Sequence, residues 1–318
     1  MAAVRHVFRA LIVAAIASGV GASVDAFGTS AGLARQNQDE DAVRSIVEGA
    51  REVVRTASTQ ADRFEKDHAI VYIDKGLLTA EAELEFADSI EHEFVATSKY
   101  LRRGFDRNSR KTPKPAYYLS NRAGISHAEP TRIFLLARRV IPSPAIAIHE
   151  TVHLLLMRNP DAPRNRADTT PAEDVRLMAA AGMWLAEGFA GYVAYELAPA
   201  LNLEPDHLFV KGDRTTVDQE ARQWMRDPRG TKVLPFVGSH GVPEGLIADR
   251  PNVAAPFYVL GQSLIKYLVQ HSGLAPITRL YEEHFDGTRS IEDDVRRITG
   301  KDLVRWRAEW LAAINGAP

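Results

Sequence analysis

Two histidines and a glutamate interrupt an otherwise apolar run, AIAIHETVHLLL, between Ala145 and Leu156. On a helix His149 and His153 lie on one face, a turn apart. Two imidazole nitrogens so placed can chelate a single zinc ion at about 2.0–2.1 Å. Glu150 is rotated by roughly 100° from His149, out of the ligand row but close enough to hydrogen-bond water beside the ion. The flanking AIAI and LLL favour burial of the helix, where unsatisfied polar groups are costly. A lone core histidine satisfied by one hydrogen bond is commonplace. Two histidines and an acid on such a helix point instead to a metal, in the H-E-x-x-H pattern.

Zinc in a hydrolytic site takes three protein ligands and keeps a fourth position for water. The chain has no cysteine, which removes thiolate ligands, disulfides and a cysteine nucleophile. The third ligand must then be His, Asp or Glu. Glu187, in MWLAEGFAGYVAYELA, is the only acid between Asp174 and Glu196 and stands among apolar residues. Gly188 and Gly191 weaken a helix relative to alanine, but their small size lets another helix approach, as bringing Glu187 to the histidine pair requires. A buried Glu–Arg pair, or an acid on a helix edge, is the plainer alternative for Glu187.

HETVH followed by WLAEGFAGYV resembles the gluzincin metallopeptidases. It is most similar to the bacterial peptidase MA-like domains, whose W-x-x-E-G-x-A-x-Y pattern falls here on Trp184, Glu187, Gly188, Ala190 and Tyr192. FYVLGQSLIKYLVQHSG, Phe257 to Gly273, is similar to that family's downstream tyrosine-bearing helix, and RIFLLA, from Arg132, to its edge strand. The likeness runs from about His68 to Phe285. It implies a zincin-like fold and one Zn2+ per chain, held by His149, His153 and Glu187. It also implies Glu150 as general base and Tyr258 as the residue that steadies the oxyanion, with Tyr192, Tyr195 and Tyr267 as competitors for that last role. The implied activity is hydrolysis of peptide bonds in a peptide or protein substrate, with the strand from Arg132 to Ala137 available to pair with it. A non-catalytic zinc- or peptide-binding module of the same fold is the alternative. The asparagine-bearing third-ligand motif of thermolysin-like enzymes and the exopeptidase motif of M1 aminopeptidases are both missing.

Several elements must position these residues. The pattern from Asp39 to Lys66 predicts a helix, after a Gly-, Ser- and Ala-rich lead from Phe27 to Asn37. HAIVYI, PAYYLS and RIFLLA read as strands, and Thr79 opens a long helix with acids in its first turn. NRAGISHAEP reads as a loop. From Pro144 onward the patterns are helical: 145–158, 174–197, 256–271, 275–285, 290–299 and 301–314. The long Gly-, Pro- and Asp-rich segment 202–252 has no assigned element. The expected class is α+β: a small α/β subdomain with a short mixed or antiparallel sheet (67–140), then a mainly helical zinc-binding subdomain (141–318), with the active site between them. Residues 27–66 form a lead and helix.

A chain of 318 residues with 45% hydrophobic and 25% charged residues can bury a sizeable core. A net charge of −2 gives no sign of a nucleic-acid partner. Arg5, His6 and Arg9 precede an apolar stretch, Ala10 to Val20, and small residues at Val24-Asp25-Ala26. Residues 1–26 thus read as a signal peptide, which places the mature protein in the periplasm or outside the cell with no stable membrane span. Oligomeric state has no signature here. His240 and Glu244 read as a solvated loop, and His271 and His284 as helix C-terminal charges. Ser143 and Ser263 lack a nucleophile elbow.

Overall fold

The computed structural model describes residues 30–105, 114–129, 131–156, 182–203, 216–239, 241–246, 249–286 and 289–316. The expected signal peptide lies outside them. No helix among the described residues is long and apolar enough to cross a membrane. The protein is of mixed α+β class and divides into two compact units.

The first unit comprises Arg44–Asn165 and Val193–His207. Helix α1 (Ser30–Gln60) leads into strand β1 (Ala61–Glu65). Strand β2 (Ile70–Asp74) runs back antiparallel to it, with Lys66 N–H donating to Ala69 O across the turn at 2.9 Å. Helix α2 (Ala80–Leu101) opens at Thr79, whose side chain accepts from Ala82 N–H, and Glu81 and Glu83 sit in its first turn. Strands β3 (Ala116–Ser120), β4 (His127–Glu129) and β5 (Arg132–Leu136) complete one sheet of order β1-β2-β3-β5-β4. The three inner strands are parallel, and β1 and β4 flank them antiparallel. A short helix α3 (Ala137–Val140) then precedes α4 (Ala145–Leu156).

Alternation along the strands sorts the sheet into two faces. Val71, Ile73, Tyr117, Leu119, Ile133 and Leu135, aligned by the register, are almost fully buried. Thr151 of α4 hydrogen-bonds Tyr117 on this face, and α2 packs on α4. The opposite face carries a ladder of stacked rings, Tyr72, Tyr118, Phe134 and His127, with successive centroids 4.8, 5.3 and 4.7 Å apart. Ala50, Val53 and Ala57 of α1 cover it.

The second unit comprises the described residues of Ile12–Val43, which include the start of α1, of Arg166–Tyr192 and of Leu208–Pro318, and is helical in its described parts. It takes in most of α5 (Met183–Leu197), followed by α6 (Val217–Arg226), α7 (Pro228–Val233), α8 (Ala255–Ser272), α9 (Leu274–Asp286), α10 (Ile291–Thr299) and α11 (Leu303–Gly316). Ser290 caps α10, and a reciprocal Thr216–Gln219 capping box opens α6.

Several expectations need correction. Helix α1 starts at Ser30, within the expected lead, and stops at Gln60 rather than near Lys66. ADRFE is a strand because β2 pairs with it throughout. The loop NRAGISHAEP contains β4, so β5 is paired on both sides and β4, not RIFLLA, ends the sheet. Helix α5 begins at Met183, directly after Gly182 at φ +80°; residues 174–181 lie outside the described ones. Segment 202–252 holds α6 and α7. The expected boundary after residue 140 also differs from the observed division, which groups α4 with the sheet.

Buried titratable groups set a pH dependence. Glu93 on α2 is 2% exposed; Ser89 Oγ donates to one carboxyl oxygen at 2.6 Å, and burial pushes the group up to about 8. Burial pushes His127 down to about 4 and lifts Glu129 to about 7. The native state therefore lacks a proton on His127 that the unfolded chain holds below about 6.5, so this group adds stability as pH rises from about 4. Glu93 has the opposite sign: the native state keeps a proton that the unfolded chain releases, and stability falls as pH rises towards about 8. Above about 6.5 the carboxyl contribution is unopposed by His127. Urea unfolding should show about 2 kcal/mol lost between pH 6.5 and 8, and Glu93→Gln should remove most of that loss. An equal loss in the variant would assign the slope to other groups.

Candidate metal centre

All twelve residues of α4 are buried. An apolar helix enclosed on every side has no solvent to satisfy its polar side chains, so the positions of His149, Glu150 and His153 (2%, 5% and 4% exposed) need an account. The turn before it is closed by Ile146 N–H to Ser143 O and Ala147 N–H to Pro144 O. Four-residue spacing then brings the two imidazoles together. Their Nε2 atoms are 3.0 Å apart, with ring planes at 77°. Glu187, 6% exposed, completes the set: one ligand atom from each of His149, His153 and Glu187 lies within 4.8 Å of the others. Among the described residues this is the group of three side chains able to hold a metal ion.

The geometry fits an ion. Two nitrogens bound at about 2.0–2.1 Å in a tetrahedral site lie roughly 3.3 Å apart, close to the 3.0 Å found. A buried pair of nitrogens beside a carboxylate is also a donor set that needs no thiolate, as a chain without cysteine requires.

Comparisons with protein-family models, with curated proteins and with solved structures give no match. The candidate metal centre therefore rests on its own geometry.

Helix α5, which carries Glu187, is tied down at its N-terminal end. Leu185 N–H donates to Gly182 O at 2.8 Å, and the Trp184 indole N–H donates to Ser239 O at 3.2 Å. A Cβ on Gly188 would lie 2.6 Å from Gly261 C and 2.7 Å from Gly261 O, and one on Gly261 would lie 3.0 Å from Trp184 O. Helices α5 and α8 thus cross with their backbones in contact. The partner that Gly188 admits is α8, whereas the sequence suggested the histidine helix.

Tyr258 stands on α8, three residues before Gly261 and on the same side of the helix. It is half-buried. The competing tyrosines lie elsewhere: Tyr192 is buried, Tyr195 is half-buried, and Tyr267 packs with His271 and Trp306 at 4.1 and 6.1 Å. His284 is a buried partner of Asp294, their Nδ1 and Oδ2 atoms 3.0 Å apart. Ser263 Oγ donates to Asp218 and accepts from the Trp310 indole, a structural bridge. Glu244 is exposed, and His240 lies outside the described residues.

Sequence reading passed over Thr151 and Tyr117. They meet at 2.9 Å, each fully buried. The available signal was one hydroxyl in an apolar helix, directly after Glu150.

Proposed function

We propose that the chain is an exported zinc metallopeptidase of gluzincin type with a zincin-like fold. The buried His149–His153–Glu187 group carries the proposal, with Glu150 on the same helix as the histidines. His149, His153 and Glu187 hold one zinc ion per chain. When bound, the ion supplies Lewis acidity towards the scissile carbonyl and the attacking water. Glu150 takes a proton from that water and hands it to the leaving amine. Tyr258 donates a hydrogen bond to the developing oxyanion. The substrate is a peptide or protein in extended conformation. Strand β4, at the end of the sheet, offers it main-chain partners, the role that the sequence gave to β5.

Reconstitution tests this directly. Purified chain should take up about one equivalent of zinc and cleave a panel of peptides and unfolded proteins. A chelator should stop cleavage, and added zinc should restore it. Uptake below about a tenth of an equivalent would sink the metal centre. Full uptake with no cleavage across the panel would replace the peptidase reading with a binding module.

A further inference from the structure

We infer that Thr151 and Tyr117 are positioning residues for the metal centre, their hydrogen bond setting the rotation of α4 that presents His149 and His153. This rests on the reading of His149, His153 and Glu187 as metal ligands. Thr151 Oγ1 donates to Ala147 O at 2.7 Å. A threonine hydroxyl has one proton, so in the 2.9 Å contact with Tyr117 the phenol is the donor. The result is a directed chain from Tyr117 O–H to Thr151 O–H to the Ala147 carbonyl, with Tyr117 and Thr151 both 0% exposed.

Its anchor is firm. Tyr117 is on β3, which is paired with β2 on one side and β5 on the other. Its position on α4 is also specific. Thr151 is about 200° round the helix from His149 and about 160° from His153, so the bond grips the back of the ligand helix. The neighbouring back residues, Ile148, Leu154 and Leu155, are aliphatic. Aliphatic contact is non-directional, whereas a hydrogen bond is directional and singles out one angle. The tolerance is small. Turning α4 by about 20° moves side-chain tips, roughly 5–6 Å from its axis, by about 2 Å. That is the length of a zinc–nitrogen bond, about 2.0–2.1 Å.

The test uses the full chain as wild type, Thr151→Val, Thr151→Ser and Tyr117→Phe. Cobalt uptake is followed by its visible absorption, zinc affinity by competition, and folding by circular dichroism. Thr151→Val and Tyr117→Phe should each weaken zinc by about tenfold or more and alter the cobalt spectrum. Thr151→Ser, which keeps the hydroxyl, should stay within about twofold of wild type. A purely structural bond would lower the melting temperature and leave the affinity and spectrum of folded molecules unchanged; that result overturns the inference. So does a serine variant as weak as the valine one, because the lost methyl would then be responsible. If Thr151→Val does not fold, Tyr117→Phe decides the matter alone, since it removes the donor without touching α4. Wild type that binds no cobalt would overturn the metal reading and this inference with it. Wild type that binds normally beside unaffected variants would overturn only the inference.

Discussion

Replacing Glu150 with glutamine should stop hydrolysis and leave the metal in place. The two effects separate because Glu150 lies on the ligand helix but outside the ligand group. It is 5% exposed, and glutamine has the same shape without the basic oxygen. Removing a positioned general base costs roughly 10²- to 10⁴-fold in rate. Zinc content should stay at about one equivalent. The melting temperature should not fall, because an uncharged amide is easier to bury than a carboxylate. Metal analysis and steady-state cleavage on one preparation make the comparison. Full activity in the variant would remove Glu150 from the mechanism. Lost zinc with an intact fold would instead make Glu150 a ligand.

The histidine pair was legible because its signal is local: four-residue spacing on a helix determines the geometry wherever that helix packs. Glu187 was legible for a related reason, as a single acid in an apolar run. What failed in the sequence depends on partners. ADRFE has charged residues at three of five positions and no strand propensity to set it apart from the preceding helix; pairing with β2 decides it. β4 has three residues and acquires its identity only beside β5. Gly188 shows the same limit. Its size was a readable sign of close approach, but size does not name the neighbour, and α8 was found there. Thr151 was unreadable because its meaning lies in Tyr117, more than thirty residues away.

Gly188→Ala should therefore damage the metal centre through a shift of α5. The three atoms nearest the added methyl would all be backbone: Gly261 C at 2.6 Å, Gly261 O at 2.7 Å and Gln262 N at 3.0 Å. None of these is a side-chain end that can swing away, so α5 and α8 must separate or one must shift along the other. Overpacking of this kind costs about 1–3 kcal/mol or more. The better helix propensity of alanine returns at most about 1 kcal/mol. A shift of α5 carries Glu187, the adjacent residue, away from the position in which its carboxylate joins His149 and His153. Zinc affinity should accordingly fall by about tenfold or more, along with a lower melting temperature. Gly316→Ala is the control: a Cβ there meets nothing within 4 Å, and its effect should stay within about 0.5 kcal/mol, with zinc binding unchanged. If Gly188→Ala melted and bound zinc as wild type does, the glycine contact would not be what holds Glu187. If it lowered stability but kept full zinc affinity, the α5–α8 crossing would serve the fold alone, and the position of Glu187 would be set from within α5.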